Sequence, residues 1–316
     1  MPESSPDRWS HPAAILVATD LSDLDRLMPF ALEQAAQAGA RLILLHVIAL
    51  SEAITADAAG MPYYDPAGAL DTAARALEAA CQQARKHDIV CDALVREGHA
   101  AQQILSAARQ FHADRILLGT RSRGKVSRLL IGSVAEQVLR SVHIPVITVG
   151  PEAHLPVAGS PPQKVVLHAT TLRETSRPSA TLASRVASTL AARLILLHVL
   201  PPIPEMQRRG EPTGLDSAAM QELRAIAEET SRGCEIAIEP YVVHGNPAIE
   251  ILAEASGRRA GLIVLGAAHR SAFENLTRDH TVYKVLAHSR CPVMTLREPE
   301  ALEEAAAATH AATHAG

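Results

Sequence analysis

The 316-residue chain predicts two tandem α/β domains, each an open parallel sheet with helices on both faces. Three observations carry that prediction. The heptapeptide Arg41-Leu42-Ile43-Leu44-Leu45-His46-Val47 returns unchanged at Arg193–Val199, and Gly245, Gly266 and Pro292–Leu296 stand 147 residues after Gly98, Gly119 and Pro145–Val149. Self-similarity at a fixed spacing marks a duplicated unit. Short apolar runs alternate with amphipathic segments, which is the pattern of strands joined by crossover helices. Runs such as Leu42–Leu45 are apolar throughout, as expected of strands buried on both faces.

In order, residues 1–12 form a polar, proline-containing arm, and 13–150 the first domain. Ala14–Thr19 reads as its first strand. A helix follows from about Ser22 to Ala38, with Gly39 as its stop. Arg41–Val47 is the second strand. Residues 50–66, with Gly60, Pro62 and Pro66, read as a long loop. A helix over about 68–87, a strand over about 89–96 and a helix over about 100–111 come next. The fourth strand, Ile116-Leu117-Leu118, enters Gly119. A helix from Ser133 leads to the fifth strand, Pro145–Val149. Residues 151–162 are a linker by composition, 163–298 repeat the domain, and 299–316 are an Ala-rich tail.

Composition excludes several classes. Hydrophobic residues at 47% supply real cores, and 20% charged residues suit a soluble protein. A net charge of −4 gives no bulk attraction to nucleic acid, and 3% aromatic residues leave little for base-stacking platforms. Four cysteines without a C-x-x-C read as reduced thiols, neither a disulfide frame nor a zinc site. The first residues lack the apolar core of a signal peptide, and no apolar run approaches a membrane span. The expectation is a cytoplasmic protein with no membrane or nucleic-acid partner. No Cys/His or Ser/His/Asp spacing supports a catalytic assignment. His310 and His314, although spaced i, i+4, are not assigned to a metal.

The stretch from Gly119 to Ser133, Gly-Thr-Arg-Ser-Arg-Gly-Lys-Val-Ser-Arg-Leu-Leu-Ile-Gly-Ser, carries the functional signal. It lies between a buried strand and a helix start, where Val134, Val138, Leu139 and Val142 begin to recur at helical spacing. The first N–H groups of a helix lack intrahelical partners and its dipole adds positive potential, so this arrangement binds anions. Arg121, Arg123, Lys125 and Arg128 add four positive charges and the stretch has no acid.

Ala18-Thr19-Asp20 after the first strand, Leu45-His46-Val47 after the second, and Gly119-x2-Ser122-x9-Gly132-Ser133 after the fourth together resemble the universal stress protein family. Its ATP-binding branch carries G-x2-G-x9-G-[S/T]. The resemblance covers nearly the whole chain, as two copies. It implies a Rossmann-like, adenine nucleotide hydrolase-type fold with five strands per sheet in the order 3-2-1-4-5. Ligands of such sheets bind at the switch point, here between strands 1 and 4.

The resemblance also implies roles. Backbone groups at Val47 meet adenine, and Asp20, closing Ala18-Thr19-Asp20, lies by the adenosine moiety. Amides of Gly119, Gly132 and Ser133, at the helix start continued by Val134, cradle phosphates beside Arg121, Ser122 and Arg123. The implied ligand is ATP, with Mg²⁺ as its usual companion. Ser133 is also placed to cap the helix. Slow ATP hydrolysis or autophosphorylation is implied only as a family trait. In the family, fifth strands pair between protomers. Here Pro145–Val149 and Pro292–Leu296 are expected to pair within the chain as a pseudo-dimer, and a homodimer or an unnamed protein partner fits the same logic.

Ser122 departs from the pattern, standing where the family has its second glycine. If that position needs a positive φ, Ser costs about 1 kcal/mol. If it needs only close approach, the hydroxyl can donate to phosphate. A branch of the family lacks the nucleotide motif, so a stress-response interaction module without nucleotide stays open beside an ATP-binding regulator. A P-loop reading of Gly119-x4-Gly124-Lys125 fails because Val126 cannot hold Mg²⁺.

The second copy departs further. Thr171 replaces Asp20, His269 takes the second glycine position, and Asp279-His280 replaces Gly132-Ser133. Its loop nets zero charge. A carboxylate about 4 Å from a phosphate charge costs about 4 kcal/mol at an effective dielectric near 20. The second domain is therefore expected not to bind nucleotide.

Overall fold

In the computed structural model, β1 (Ala14–Thr19) is buried at all six positions. The structure describes residues 10–49, 54–56, 62–120, 131–154, 165–202, 214–232, 234–268 and 281–298. The chain divides into two units, Met1–Ser160 and Pro161–Gly316.

In the first unit β1 is followed by α1 (Leu24–Ala38), β2 (Arg41–Ile48), the short strands β3 (Ile54–Ala56) and β4 (Pro62–Tyr64), α2 (Pro66–Arg85), β5 (Cys91–Glu97), α3 (Ala100–Gln110), β6 (Arg115–Gly119), α4 (Ser133–Ser141) and β7 (Val146–Val149). The sheet order is β5-β2-β1-β6-β7, and every pairing is parallel. Counting the five long strands in sequence, this is 3-2-1-4-5. Leu42, Ile43, Leu44 and Leu45 are at most 1% exposed, so helices cover both faces of the sheet.

Local chemistry explains the boundaries. Gly39 ends α1 at φ 65°, a left-handed stop that costs glycine little. Asp65 caps α2 by accepting from Gly68 N at 2.9 Å, with Pro66 preset for the first turn. At the start of β1, Asp114 Oδ2 accepts from the N–H groups of Ala13 and Ala14 at 2.8 and 3.2 Å. This pins the start of β1 to the start of β6, at the sheet edge opposite Thr19 and Gly119.

The second unit repeats the plan with β8 (Val165–Ala169), a 3₁₀ turn (Glu174–Ser176), α5 (Arg177–Thr189), β9 (Arg193–Leu200), α6 (Gly214–Thr230), β10 (Ile238–His244), α7 (Pro247–Gly257), β11 (Leu262–Ala268), α8 (Thr281–His288) and β12 (Val293–Glu298). Its strand order is β10-β9-β8-β11-β12, again all parallel. Asn246 caps α7 through Ala248 N at 3.1 Å.

The 50–66 segment differs from the long loop expected. It contains an antiparallel ladder in which Ile54, Thr55 and Ala56 face Tyr64, Tyr63 and Pro62. Strands of three residues are too short to show a periodicity. The arm (1–9), most of the linker (155–162 of 151–162) and the tail (299–316) lie outside the described residues. Among the described residues no helix is long and apolar enough to cross a membrane.

Candidate functional site

The site begins where β1 ends. Thr19 is the last residue of the strand and 8% exposed. Its Oγ1 accepts from Leu21 N at 2.9 Å and donates to Asp23 Oδ1 at 2.6 Å. The turn takes Leu21 into the left-handed region, at φ 68°. Asp20 folds over the same turn. Its Oδ1 accepts from both Ser22 N and Ser22 Oγ, at 2.9 and 2.6 Å. Its Oδ2 is buried and has no hydrogen-bond partner among the described residues. A buried acceptor without a donor is costly, and no described residue supplies one to this atom.

His46, in β2, steadies the turn from below. Its Nδ1 lies 2.9 Å from the Thr19 carbonyl, which can only accept, so Nδ1 carries the proton. His198 bonds the Thr170 carbonyl in the same way, at 2.9 Å. The repeated histidines thus tie the second strand to the end of the first.

β6 arrives beside β1, with Leu118 in register with Ala18. The chain leaves the described residues after Thr120 and re-enters at Ile131, and Gly132 N donates to Thr120 O at 2.7 Å. This bond holds the two ends of the intervening basic stretch together. Gly132 occupies the N-cap of α4 with φ −64° and ψ 146°. Ser133 is therefore the first helical residue and not the cap expected of it. Glu136 N is the donor to Gly132 O, at 3.0 Å. The earlier first-turn amides have no acceptor within the helix.

These elements enclose a cleft of about 210 Å³. Its apolar lining includes Ala18, Leu45, Val47, Ala49, Ala100, Ile104 and Leu118. Its lining also includes Thr19, Asp20, Asp23 and Gly119, with Gly132, Ser133, Val134 and Ala135 of the α4 N-terminus. Eight residues singled out from the sequence thus meet in one cleft: Ala18, Thr19, Asp20, Val47, Gly119, Gly132, Ser133 and Val134. Arg121, Ser122 and Arg123 lie outside the described residues, as does the question of backbone conformation at Ser122.

Sequence reasoning missed Asp23. Its side chain is 8% exposed, and its carboxylate occupies the space a β-carbon at Gly119 would need. Burial pushes the carboxyl up to about 6; the Thr19 hydrogen bond opposes this and the neighbouring Asp20 charge adds to it. The available signal was the Thr19/Asp23 i, i+4 pair, which no motif singles out. Ala100 and Ile104 were also missed, because nothing local in α3 marks a residue that lines a cleft.

The second unit keeps the turn but has neither buried carboxylate. Leu172, at φ 61°, donates from N to Thr170 Oγ1 at 3.2 Å, matching Leu21 and Thr19. Thr171 stands for Asp20, and its Oγ1 is 2.8 Å from Ser176 Oγ. Glu174 stands for Asp23, and its side chain is 81% exposed. His269, Asp279 and His280 lie outside the described residues. Among the described residues of the chain, no cluster of three or more His, Cys, Asp or Glu is placed to hold a metal ion.

The comparisons with known proteins agree with this architecture. A model described as the universal stress protein family matches residues 13–150 and again 163–297. The chain belongs to the universal stress protein family. A universal stress protein of Mycolicibacterium smegmatis is 27% identical over 309 residues, covering 90% of this chain and 96% of that protein. A universal stress protein of Thermus aquaticus, described by its place in the QAH/OAS sulfhydrylase 3′ region, is 34% identical over 142 residues, covering 43% of this chain and 96% of its own length. Among solved structures, a universal stress protein from Archaeoglobus fulgidus superposes with a TM-score of 0.66 at 22% identity, covering 90% of this chain and 96% of that one. This last likeness is one of fold.

Proposed function

We propose that the first domain binds one adenine nucleotide, ATP with Mg²⁺, and that the protein is a cytoplasmic stress-response regulator whose state that ligand sets. The observation that carries this reading is the buried Oδ2 of Asp20, unpartnered among the described residues, in a cleft with a largely apolar lining and a helix N-terminus. A planar base fits the apolar side, against the backbone at Val47. A hydroxyl or amino group of the adenosine moiety donates to Asp20 Oδ2. The phosphates lie toward α4, where the amides of Ser133 and Val134 and the helix dipole favour anions. Asp20 and Asp23 repel phosphate and so set the direction of binding. Gly119, Arg121, Ser122 and Arg123 complete the phosphate end in this reading.

The second domain acts as a non-binding partner. Its Thr171 hydroxyl is already paired with Ser176, and its Glu174 faces solvent. Calorimetry with Mg-ATP tests the assignment. One nucleotide per chain is expected for the wild type, with binding lost in Gly132→Asp. The Gly132 backbone suits any residue, so this variant adds charge without backbone strain. Two nucleotides per chain, or unchanged affinity in the variant, would reject the proposal.

A further inference from the structure

In the second unit, packing brings together a histidine and an aspartate that no local motif links. His244 is the last residue of β10, and Asp216 lies in the first turn of α6. The Nδ1 of His244 is 2.9 Å from the carbonyl of Pro201, just beyond β9, and its Nε2 is 2.6 Å from Asp216 Oδ1. Both side chains are half-buried. A backbone carbonyl and an ionised carboxylate only accept hydrogen bonds. A neutral imidazole has one N–H and satisfies one of them, leaving two lone pairs facing each other at the second contact. The imidazolium has two N–H groups and satisfies both. With both nitrogens engaged, neither is left for a metal or for proton transfer to a substrate.

The surroundings favour the charged form. The Pro201 bond raises the imidazole above its ordinary 6.5, the Asp216 bond and charge add to the effect, and burial opposes them. From α7, the carboxylate of Glu250 occupies the space that a β-carbon at Gly245, the next residue, would need. In β9 the register partner of His244 is Leu200, which brings no charge. The positive end of the α6 dipole acts against the imidazolium. In the first repeat Gly98 matches Gly245, so Glu97 holds the place of His244. A carboxylate there can donate to neither kind of partner.

The pair bears on how α6 begins. Farther along the helix, Leu223 and Ile226 are buried with Leu196 of β9, and Val242 of β10 packs against them. At the helix start Gly214, Leu215, Ser217 and Ala218 are exposed, and Asp216 is the residue that turns inward. Pro201 follows His198 as Ala49 follows His46, and Ala49 lines the cleft of the first unit. The contact therefore lies at the carboxyl edge of its sheet, the edge that carries the cleft in the first repeat. We propose that the second unit senses pH there: doubly protonated His244 clasps the first turn of α6 to the ends of β9 and β10, and loss of one proton releases that turn. Stability from the clasp is fully present below pH 6.5 and is lost as pH rises through the folded-state value.

The test follows His244 in the full chain by long-range proton–nitrogen NMR from about pH 5.5 to about pH 9, with hydrogen exchange read over the same range and corrected for intrinsic rates. His244→Gln assigns the resonance. Both ring nitrogens should be protonated below a midpoint that lies above 6.5. The amides of Ala218, Ala219 and Met220 bond first-turn carbonyls. Their protection should fall through that midpoint, about tenfold for each unit by which it exceeds 6.5. Protection around Leu223 and Ile226 should hold. Asp216→Asn should lower the midpoint, and His244→Gln should remove the pH dependence of the first turn. A wild-type midpoint at or below 6.5, or first-turn protection that does not change through it, would overturn the proposal. So would a His244→Gln chain that keeps the loss. The first two readings come from the wild type, so a variant that fails to fold leaves the outcome decided.

Discussion

The carboxylate of Asp23 rests against the Cα of Gly119, in the volume that a side chain at 119 would occupy. This contact joins the turn after β1 to the end of β6, which are the two edges of the cleft. Gly119→Ala must therefore move a buried carboxylate that also holds the Thr19 hydroxyl at 2.6 Å. Overpacking of this kind costs about 1–3 kcal/mol. Urea unfolding should register that loss, and nucleotide affinity should fall with it because Asp20 rides on the same turn. An unchanged midpoint would mean that Asp23 relaxes freely.

Asp23 also makes the first domain sensitive to pH. Its folded value of about 6 lies above the ordinary 3.8, so the folded state binds more protons between those limits. Stability from this group is present at low pH and lost as pH rises from about 4 to about 6. A shift of this size corresponds to roughly 3 kcal/mol. Asp23→Asn keeps an acceptor for Thr19 and removes the charge. It should raise stability at pH 7 and flatten the slope between pH 4 and 6, as read from urea midpoints across that range.

Much of this was legible in the sequence. Four of the first domain's five long strands carry an apolar run, β5 being the mixed exception, so the repeat and the strand–helix alternation announced the architecture. The parallel topology then brought Asp20 and Gly119 to one edge. What could not be read depends on contacts distant in sequence. Asp23 becomes special only when Gly119 arrives without a side chain. Ser133 carried the chemistry of a cap, but the backbone turns one residue earlier and Gly132 takes that position.

Asp20 offers the sharpest test of the site. Its Oδ1 is committed to Ser22, and its Oδ2 has no donor among the described residues. Hydrogen bonds to charged groups contribute about 1.5–3 kcal/mol, so Asp20→Ala should weaken Mg-ATP binding by roughly 10- to 100-fold. Calorimetry reads the affinity, and circular dichroism checks that the fold persists. Unchanged affinity with an intact fold would remove Asp20 from the ligand site.

His168 gives the second domain the opposite pH response. In the first repeat, Val17 occupies the matching place in the strand. His168 is fully buried. Its Nδ1 donates to the Val264 carbonyl at 3.0 Å, and its Nε2 has no partner among the described residues. Its register partner in β9, Leu196, belongs to an apolar cluster with Ala180, Leu223 and Ile226. Burial lowers the imidazole from 6.5 to about 4, while the Val264 bond opposes the shift. Between those values the unfolded chain binds the proton and the folded one does not, so stability falls as pH drops from about 6.5 to 4, by roughly 3 kcal/mol. His168→Val, which restores the residue of the first repeat, should abolish that slope even if the smaller side chain alters stability at pH 7. Urea unfolding at pH 7.5, 6, 5 and 4.5 (roughly spanning the transition) separates the two effects. A variant that keeps the wild-type slope would show that His168 takes up its proton within the folded domain.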